Sequence, residues 1–253
     1  IMFSAAGLSP HFRLGGDPIF GMAGTGTFAE EVVLPEQAVV KVPSDVPWEI
    51  ASLIGCGVTT GVGAAINAAK VKPGSSVVVF GCGGVGMSVI QGARLAGAAE
   101  IVAVDLVAEK REDARRFGAT HAVHPDHVDA VRGEIAGGAG FDYGFEVIGL
   151  PTTIRAVYDA VRRGGTACIV GVGRMDQTIE FNAFEFFFNE KHLLGTIYGS
   201  ADVRVDFPKL LRLWKAGRLD LEGMISKRAD LDGINQAFDD MKAGRVIRTV
   251  IEV

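Results

Sequence analysis

Val77-Val-Val-Phe-Gly-Cys-Gly-Gly-Val-Gly86 is the stretch that decides how this chain folds. A β-branched apolar run enters Gly81-x-Gly83-x-x-Gly86, and a helix-period pattern follows from Val85 to Leu95. The next apolar run, Ile101-Val-Ala-Val-Asp105, closes on a carboxylate nineteen residues beyond Gly86. Strand, glycine turn, helix, strand and acid in this order make a dinucleotide-binding βαβ unit. Gly81 permits the tight turn, Gly83 lets backbone approach a pyrophosphate, and Gly86 lets the helix lie close to the sheet. Gly84 and Val85 sit where the helix begins, and its unpaired N–H groups and partial positive charge suit phosphates. Asp105 is placed to accept hydrogen bonds from the adenosine ribose, and its charge repels a 2′-phosphate. The expected cofactor is NAD(H) rather than NADP(H). Glycines alone could equally serve helix–strand packing; the full context favours the cofactor.

The remainder of the 253 residues is ordinary globular sequence, 48% hydrophobic and 22% charged. That length allows one large domain or two modest ones. A net charge of −5 and scattered aromatics point away from nucleic acid or an anionic membrane as partner. Residues 50–69 and 74–93 are uncharged and reach spanning length, but their glycines suit buried parts of an α/β core. The opening has no secretory pattern, so a cytoplasmic location is expected. Cys56, Cys82 and Cys168 form no CxxC pair and are too few for a disulfide framework. Cys82, in a variable slot of the glycine loop, and Cys168, in a predicted strand, are assigned no chemistry.

Residues 1–20 read as loop, and 25–34 and 37–41 as strands. A helix begins at Trp48, breaks near Gly55-Cys-Gly57 and resumes over 59–70. After Asp105 come a helix over 107–117 stopped by Gly118, a strand over 119–123 and a helix over 129–136. A strand over 141–148, a helix over 152–162 ended by Gly164-Gly165, and strands over 166–170 and 192–197 follow. Six strands alternating with helices predict an α/β fold with a doubly wound parallel sheet ordered 3-2-1-4-5-6. Two further helices, 203–216 and 231–242, precede a terminal strand over 247–253. Residues 1–54 and 201–253 fall outside the alternation and are expected to form a second domain around a core of 55–200.

With the glycine loop, Asp105 and Gly55-Cys-Gly-Val-Thr-Thr-Gly61 in view, the chain resembles the zinc-dependent medium-chain alcohol dehydrogenases. The likeness runs from Gly24-Thr-Gly-Thr-Phe28 to Ile247-Arg-Thr249. Phe117-Gly-Ala-Thr120, Phe145-Glu-Val-Ile-Gly149 and Ile169-Val-Gly-Val172 add to it. The flavour is nearest the long-chain dimeric branch that includes glutathione-linked formaldehyde dehydrogenases. This implies a Rossmann NAD-binding domain at 55–200, with 1–54 and 201–253 as remnants of a GroES-like, β-rich catalytic domain. In that family a segment ahead of this region carries a Cys and a His ligand of the catalytic zinc, a proton-relay hydroxyl and a structural zinc lobe. The chain, which opens on Ile1 rather than Met, is expected to lack it.

The resemblance makes Cys56 a thiolate ligand of the catalytic zinc and brings Thr60 to the nicotinamide. Without it, Cys56 reads as a buried free thiol, and Thr60 as a capping or back-bonding threonine. It carries Lys110 to the adenosine ribose and Val85 behind the nicotinamide. It places Val147, Ile148, Val170, Val172, Thr196 and Tyr198 along the dinucleotide crevice, and Arg248 on the pyrophosphate. On their own, Lys110 and Arg248 read as surface residues. His121, His124 and His127 do not share a face at strand spacing, and Pro125 breaks a helix, so a metal site there is not expected. Phe181, Phe184, Phe186, Phe187 and Phe188 suit core or subunit-interface packing, in a homodimer.

The expected function is hydride transfer between an alcohol or aldehyde adduct and NAD, with catalytic zinc in the full-length parent. The alternative is a non-catalytic NAD(H)-binding module, since one thiolate cannot hold a catalytic zinc alone. A zinc-independent reductase on the same scaffold is disfavoured by Cys56.

Overall fold

The computed structural model describes residues 12–19 and 26–253. The loop expected over 1–11 and the start of the strand expected at Thr25 lie outside the described residues. In chain order the strands are β1 (Phe12–Leu14), β2 (Asp17–Ile19), β3 (Ser76–Phe80), β4 (Glu100–Val104) and β5 (His121–Val123). They continue with β6 (Phe141–Glu146), β7 (Val161–Ile169), β8 (His192–Gly195), β9 (Ile225–Asp230) and β10 (Arg248–Glu252). The α-helices are α1 (Trp48–Leu53), α2 (Thr59–Gly63), α3 (Gly84–Leu95), α4 (Ala108–Phe117) and α5 (Val128–Ala136). After them come α6 (Pro151–Ala160), α7 (Ala183–Asn189), α8 (Val203–Lys215) and α9 (Ile234–Lys242).

The contacts divide the chain into two units, Pro47–Met224 and Ile1–Val46 with Ile225–Val253. The sequence boundaries at 54/55 and 200/201 differ from this division because α1 and α8 pack within the larger unit.

The larger unit carries a six-stranded sheet ordered β5-β4-β3-β6-β7-β8, parallel throughout. In sequence terms this is 3-2-1-4-5-6, the doubly wound order. Val77, Val78 and Val79 are wholly buried, as expected of a central parallel strand covered on both faces. One core cluster joins Val78, Phe80, Val102 and Val104 of the sheet to Val128, Val157 and Tyr158. Burying each such apolar side chain contributes about 1.5–3 kcal/mol. Gly118, at φ +115°, and Gly137, at φ +56°, end α4 and α5 in the left-handed conformation.

Several expectations need correction. Residues 26–35 form no strand, and Glu36–Ala38 is a 3-10 turn rather than part of a strand. Among the described residues no strand pairs with either segment, and an unpaired strand leaves its backbone groups without partners. Residues 12–19 are not loop but a two-residue hairpin, with Gly15 and Gly16 both at positive φ. Gly55 and Gly57 do not break the helix: Trp48–Ala68 runs through, with π-helical turns at Ile54–Val58 and Ala64–Ala68. The widened first turn is supported by Thr59, whose Oγ1 donates to Ile54 O at 2.7 Å. Gly164-Gly165 does not terminate α6. The helix passes straight into β7 at Val161, and the glycines lie in a bulge between the pairs Phe141–Val161 and Tyr143–Thr166.

In the smaller unit β9 and β10 pair in parallel, with α9 in the connection. β9, Ile-Ser-Lys-Arg-Ala-Asp, is too polar for strand periodicity to expose it. Asp240, 4% exposed, gathers Lys227 Nζ at 2.6 Å, Arg245 Nη2 at 2.6 Å and Gln236 Nε2 at 3.1 Å. Phe28 meets Phe238 edge to face at 5.9 Å.

Candidate functional site

The glycine loop leaves β3 at Gly81, whose N–H donates to Val104 O at 2.8 Å and whose φ of +101° excludes a side chain without strain. A Cβ at Gly86 would strike the Gly81 carbonyl, so this helix–loop contact requires glycine. Gly83, extended at the N-cap of α3, is different: a Cβ there would meet nothing within 4 Å. Its glycine is not demanded by protein packing, and its open side is where a diphosphate would come against backbone. The first turn of α3, from Gly84 through Val85, holds no acidic residue. The helix end therefore keeps its attraction for an anion. Ile148, 47% exposed, lies against the other side of the loop, its Cγ1 2.8 Å from where a Gly81 Cβ would stand.

Asp105 follows β4, half-buried. Its Oδ2 accepts from Cys82 N at 2.8 Å and its Oδ1 from Val107 N at 2.9 Å. A carboxylate offers about four lone-pair sites, so about two remain for vicinal ribose hydroxyls. Asp105 thus also holds the glycine loop, a role the sequence reading missed. Arg111 Nη1 donates to the Asp105 and Leu106 carbonyls at 2.8 and 2.9 Å. Lys110, half-buried, is next to it on α4.

The carboxyl ends of β6, β7 and β8 bring Val147, Ile148, Val170, Val172, Thr196 and Tyr198 to the same edge of the sheet. Val170 is buried, while Val172 is 93% exposed. Glu146, wholly buried at the end of β6, was not singled out from sequence. Its Oε1 accepts from Ile148 N at 3.0 Å, Gly149 N at 2.7 Å and Thr153 Oγ1 at 2.6 Å. It therefore sets the backbone that carries Ile148. The available signal was a lone charge inside the apolar run Phe145-Glu-Val-Ile148.

Cys56 is exposed in the first π-turn, not buried as its apolar surroundings alone would suggest. Cys82 and Cys168 are buried, and burial pushes both thiols up to about 12, the Asp105 charge adding to the effect at Cys82. α2 crosses α3 at close quarters: a Cβ at Gly61 would lie 2.5 Å from Ser88 Cβ and 2.8 Å from Val89 N. This seats half-buried Thr60 over the turn that carries Val85. Tyr198 closes the group, its hydroxyl donating to Gly55 O, one residue from Cys56. Burial raises the pKa of that hydroxyl, and the Cys56 charge raises it further. Cys56, Thr60, Val85 and Tyr198 are therefore brought together, with the glycine loop and Asp105 beyond them. Arg248 is half-buried on β10 of the smaller unit.

Among the described residues no group of three or more His, Cys, Asp or Glu could hold a metal ion. A catalytic zinc takes three protein ligands; Cys56 offers one. The described residues do not make up a metal site. The dinucleotide fits better, given the open face at Gly83, the acid-free helix end and the spare acceptors of Asp105. The histidines make local pairings, His121 Nδ1 with Glu100 at 3.5 Å and His124 Nδ1 with Asp126 at 3.2 Å.

Comparison with known proteins agrees with this geometry. The zinc-binding dehydrogenase family profile matches residues 84–216. The S-(hydroxymethyl)glutathione dehydrogenase of Paracoccus denitrificans is 40% identical over 256 residues, covering 97% of this chain and 68% of that protein. The class-3 alcohol dehydrogenase of Cereibacter sphaeroides is 39% identical over 260 residues, with the same two coverages, 97% and 68%. The crystal structure of benzyl alcohol dehydrogenase from Acinetobacter calcoaceticus superposes with a TM-score of 0.87 at 34% identity, covering 92% of this chain and 64% of that one. The chain thus spans about two thirds of the length of these relatives. By this profile match and these identities, the chain belongs to the zinc-binding, medium-chain alcohol dehydrogenase family.

Proposed function

We propose that the protein carrying this chain is an NAD-dependent alcohol dehydrogenase of the zinc type. It moves hydride between an alcohol, or an aldehyde adduct, and the nicotinamide. The observation that carries the reading is the crossing of α2 over α3. It sets the Cys56 turn and Thr60 beside Val85, at the head of a phosphate-binding loop closed by Asp105. Asp105 and Lys110 hold the adenosine ribose, and the α3 N-terminus receives the pyrophosphate. The ends of β6–β8 line the crevice, and Thr60 and Val85 orient the ring. Cys56 gives one thiolate to zinc. Bound zinc would polarise the alcohol oxygen.

The small unit is read as part of a GroES-like catalytic domain, and 55–200 as the NAD-binding domain. Names borne by the relatives point to small alcohols or a thiol adduct of formaldehyde as substrate class. A cytoplasmic homodimer is the favoured state. Among the described residues β8 pairs with β7 alone, and Phe184 at 69%, Phe187 at 76% and Ile197 at 68% exposure leave an apolar edge for a second copy to cover.

The test is NADH formation with a panel of primary alcohols, together with zinc content, in the parent protein and its Cys56→Ala variant. The variant should lose zinc and turnover while keeping NADH affinity within about threefold. Full turnover in the variant would remove Cys56 from the site. NADH binding with no turnover and no zinc in the parent would identify the non-catalytic module.

A further inference from the structure

Tyr198, Gly199 and Ser200 stand together in left-handed backbone, with φ of +57°, +66° and +51°. Two of the three are not glycine, and such conformations persist where the surroundings impose them. The surroundings here are explicit. A Cβ at Gly199 would lie 2.7 Å from Thr60 O and 2.9 Å from Gly63 Cα, so the turn is set directly on α2. Asn67 Nδ2 reaches Gly199 O at 3.5 Å, and Thr196 Oγ1 and Ser200 Oγ share a hydrogen bond of 2.9 Å. The result of this arrangement is where the Tyr198 ring goes. It delivers its hydroxyl to Gly55 O, inside the π-turn that presents Cys56.

We propose that the Tyr198 side chain is a positioning residue: its hydroxyl ties the Cys56 turn to the backbone that lines the cofactor crevice. The resemblance to the family gave Tyr198 a place in the crevice wall; the side-chain tether is additional. Its catalytic meaning rests on Cys56 being the ligand thiol, but the tether itself does not. The π-turn leads into α2 and the left-handed turn packs on α2, so the bond closes a loop between residues 143 positions apart. Thr59 supports the same turn from within, through Ile54 O.

The test is amide hydrogen exchange of the whole chain without metal, comparing wild type with Tyr198→Phe, which keeps the ring and removes the donor. Losing one hydrogen bond should speed exchange across 54–60 by about fivefold. Alkylation of Cys56 by iodoacetamide should rise in the same variant. Exchange in β3 and α3 should be unchanged. Equal exchange across 54–60 in the two proteins would overturn the proposal. So would faster exchange spread evenly over β3 and α3, which marks general destabilisation. Should Tyr198→Phe unfold, Thr59→Val serves as the second variant. It too should loosen 54–60, and an unchanged rate there would count against a constrained turn. Zinc retained by Cys56→Ala in the parent protein would refute the ligand reading alone and leave the exchange result standing.

Discussion

Replacing Asp105 with alanine removes two different things, and the structure separates them. The first is internal. Cys82 N, in a wholly buried residue, and Val107 N both donate to the carboxylate, at 2.8 and 2.9 Å. Hydrogen bonds to a charged acceptor contribute about 1.5–3 kcal/mol each, and a buried donor left alone costs about 1–3 kcal/mol. Asp105→Ala should therefore destabilise the fold by about 2–4 kcal/mol, Val107 N, at the half-exposed end, recovering water. The second is external. Loss of the ribose acceptors should weaken NADH by about 1.5–3 kcal/mol, roughly ten- to a hundredfold. NADPH, which gains relief from like-charge repulsion, should weaken much less. Asp105→Asn keeps one acceptor for the loop and removes the charge. It should retain more of the stability while still narrowing the NADH/NADPH ratio. Urea denaturation reads the first effect, and fluorescence titration with each nucleotide reads the second. An unchanged NADH/NADPH affinity ratio in both variants would refute the reasoning, whatever happened to stability.

Further outcomes follow from the same geometry. Gly86→Ala drives a Cβ into the Gly81 carbonyl, so the loop must shift and NADH affinity should fall at least tenfold; titration showing wild-type affinity would mean the loop yields freely. Glu146→Ala leaves the Ile148 and Gly149 N–H groups and the Thr153 hydroxyl without their acceptor and should cost about 3 kcal/mol in urea denaturation, with Glu146→Gln much milder; equal losses in the two would place the effect in packing. Burial raises Cys82 and Cys168 from 9.0 to about 12, so the native state retains protons that the unfolded chain has released. Their stabilising contribution is complete below pH 9 and lost as the pH rises towards 12. Comparing denaturation at neutral and alkaline pH in wild type and Cys82→Ala/Cys168→Ala should show a smaller alkaline loss in the double variant, and identical losses would contradict the assignment.

What the sequence made legible was the larger unit. Its central strands β3 and β4 are buried beyond their first residue and read as unbroken apolar runs, and the glycine turn between β3 and α3 has few uses other than phosphate approach. The smaller unit was opaque for the opposite reason. β9 is polar and largely exposed, so it lacks the apolar signal that identifies a strand, and residues 26–35 carry strand-like alternation with no strand among the described residues to pair with. The helix over 48–68 defeated a local rule: two glycines promised a break, and the chain absorbed them in a π-turn buttressed by Thr59. At the site, the positions of Gly83 and Asp105 followed from spacing. The hold of Asp105 on the loop, the Glu146 acceptor and the reach of Tyr198 to Gly55 depend on contacts between distant segments, which no spacing encodes.

The central claim is that the loop from Gly81 to Gly86, with Asp105, forms a working NAD site. Calorimetric titration of the 253-residue chain with NADH, and separately with NADPH, addresses it directly. The account predicts saturable binding at one site per chain, with NADH at least about tenfold tighter, the discrimination one charged contact supplies. No saturable binding of either nucleotide by the folded chain, or a preference for NADPH, would contradict it.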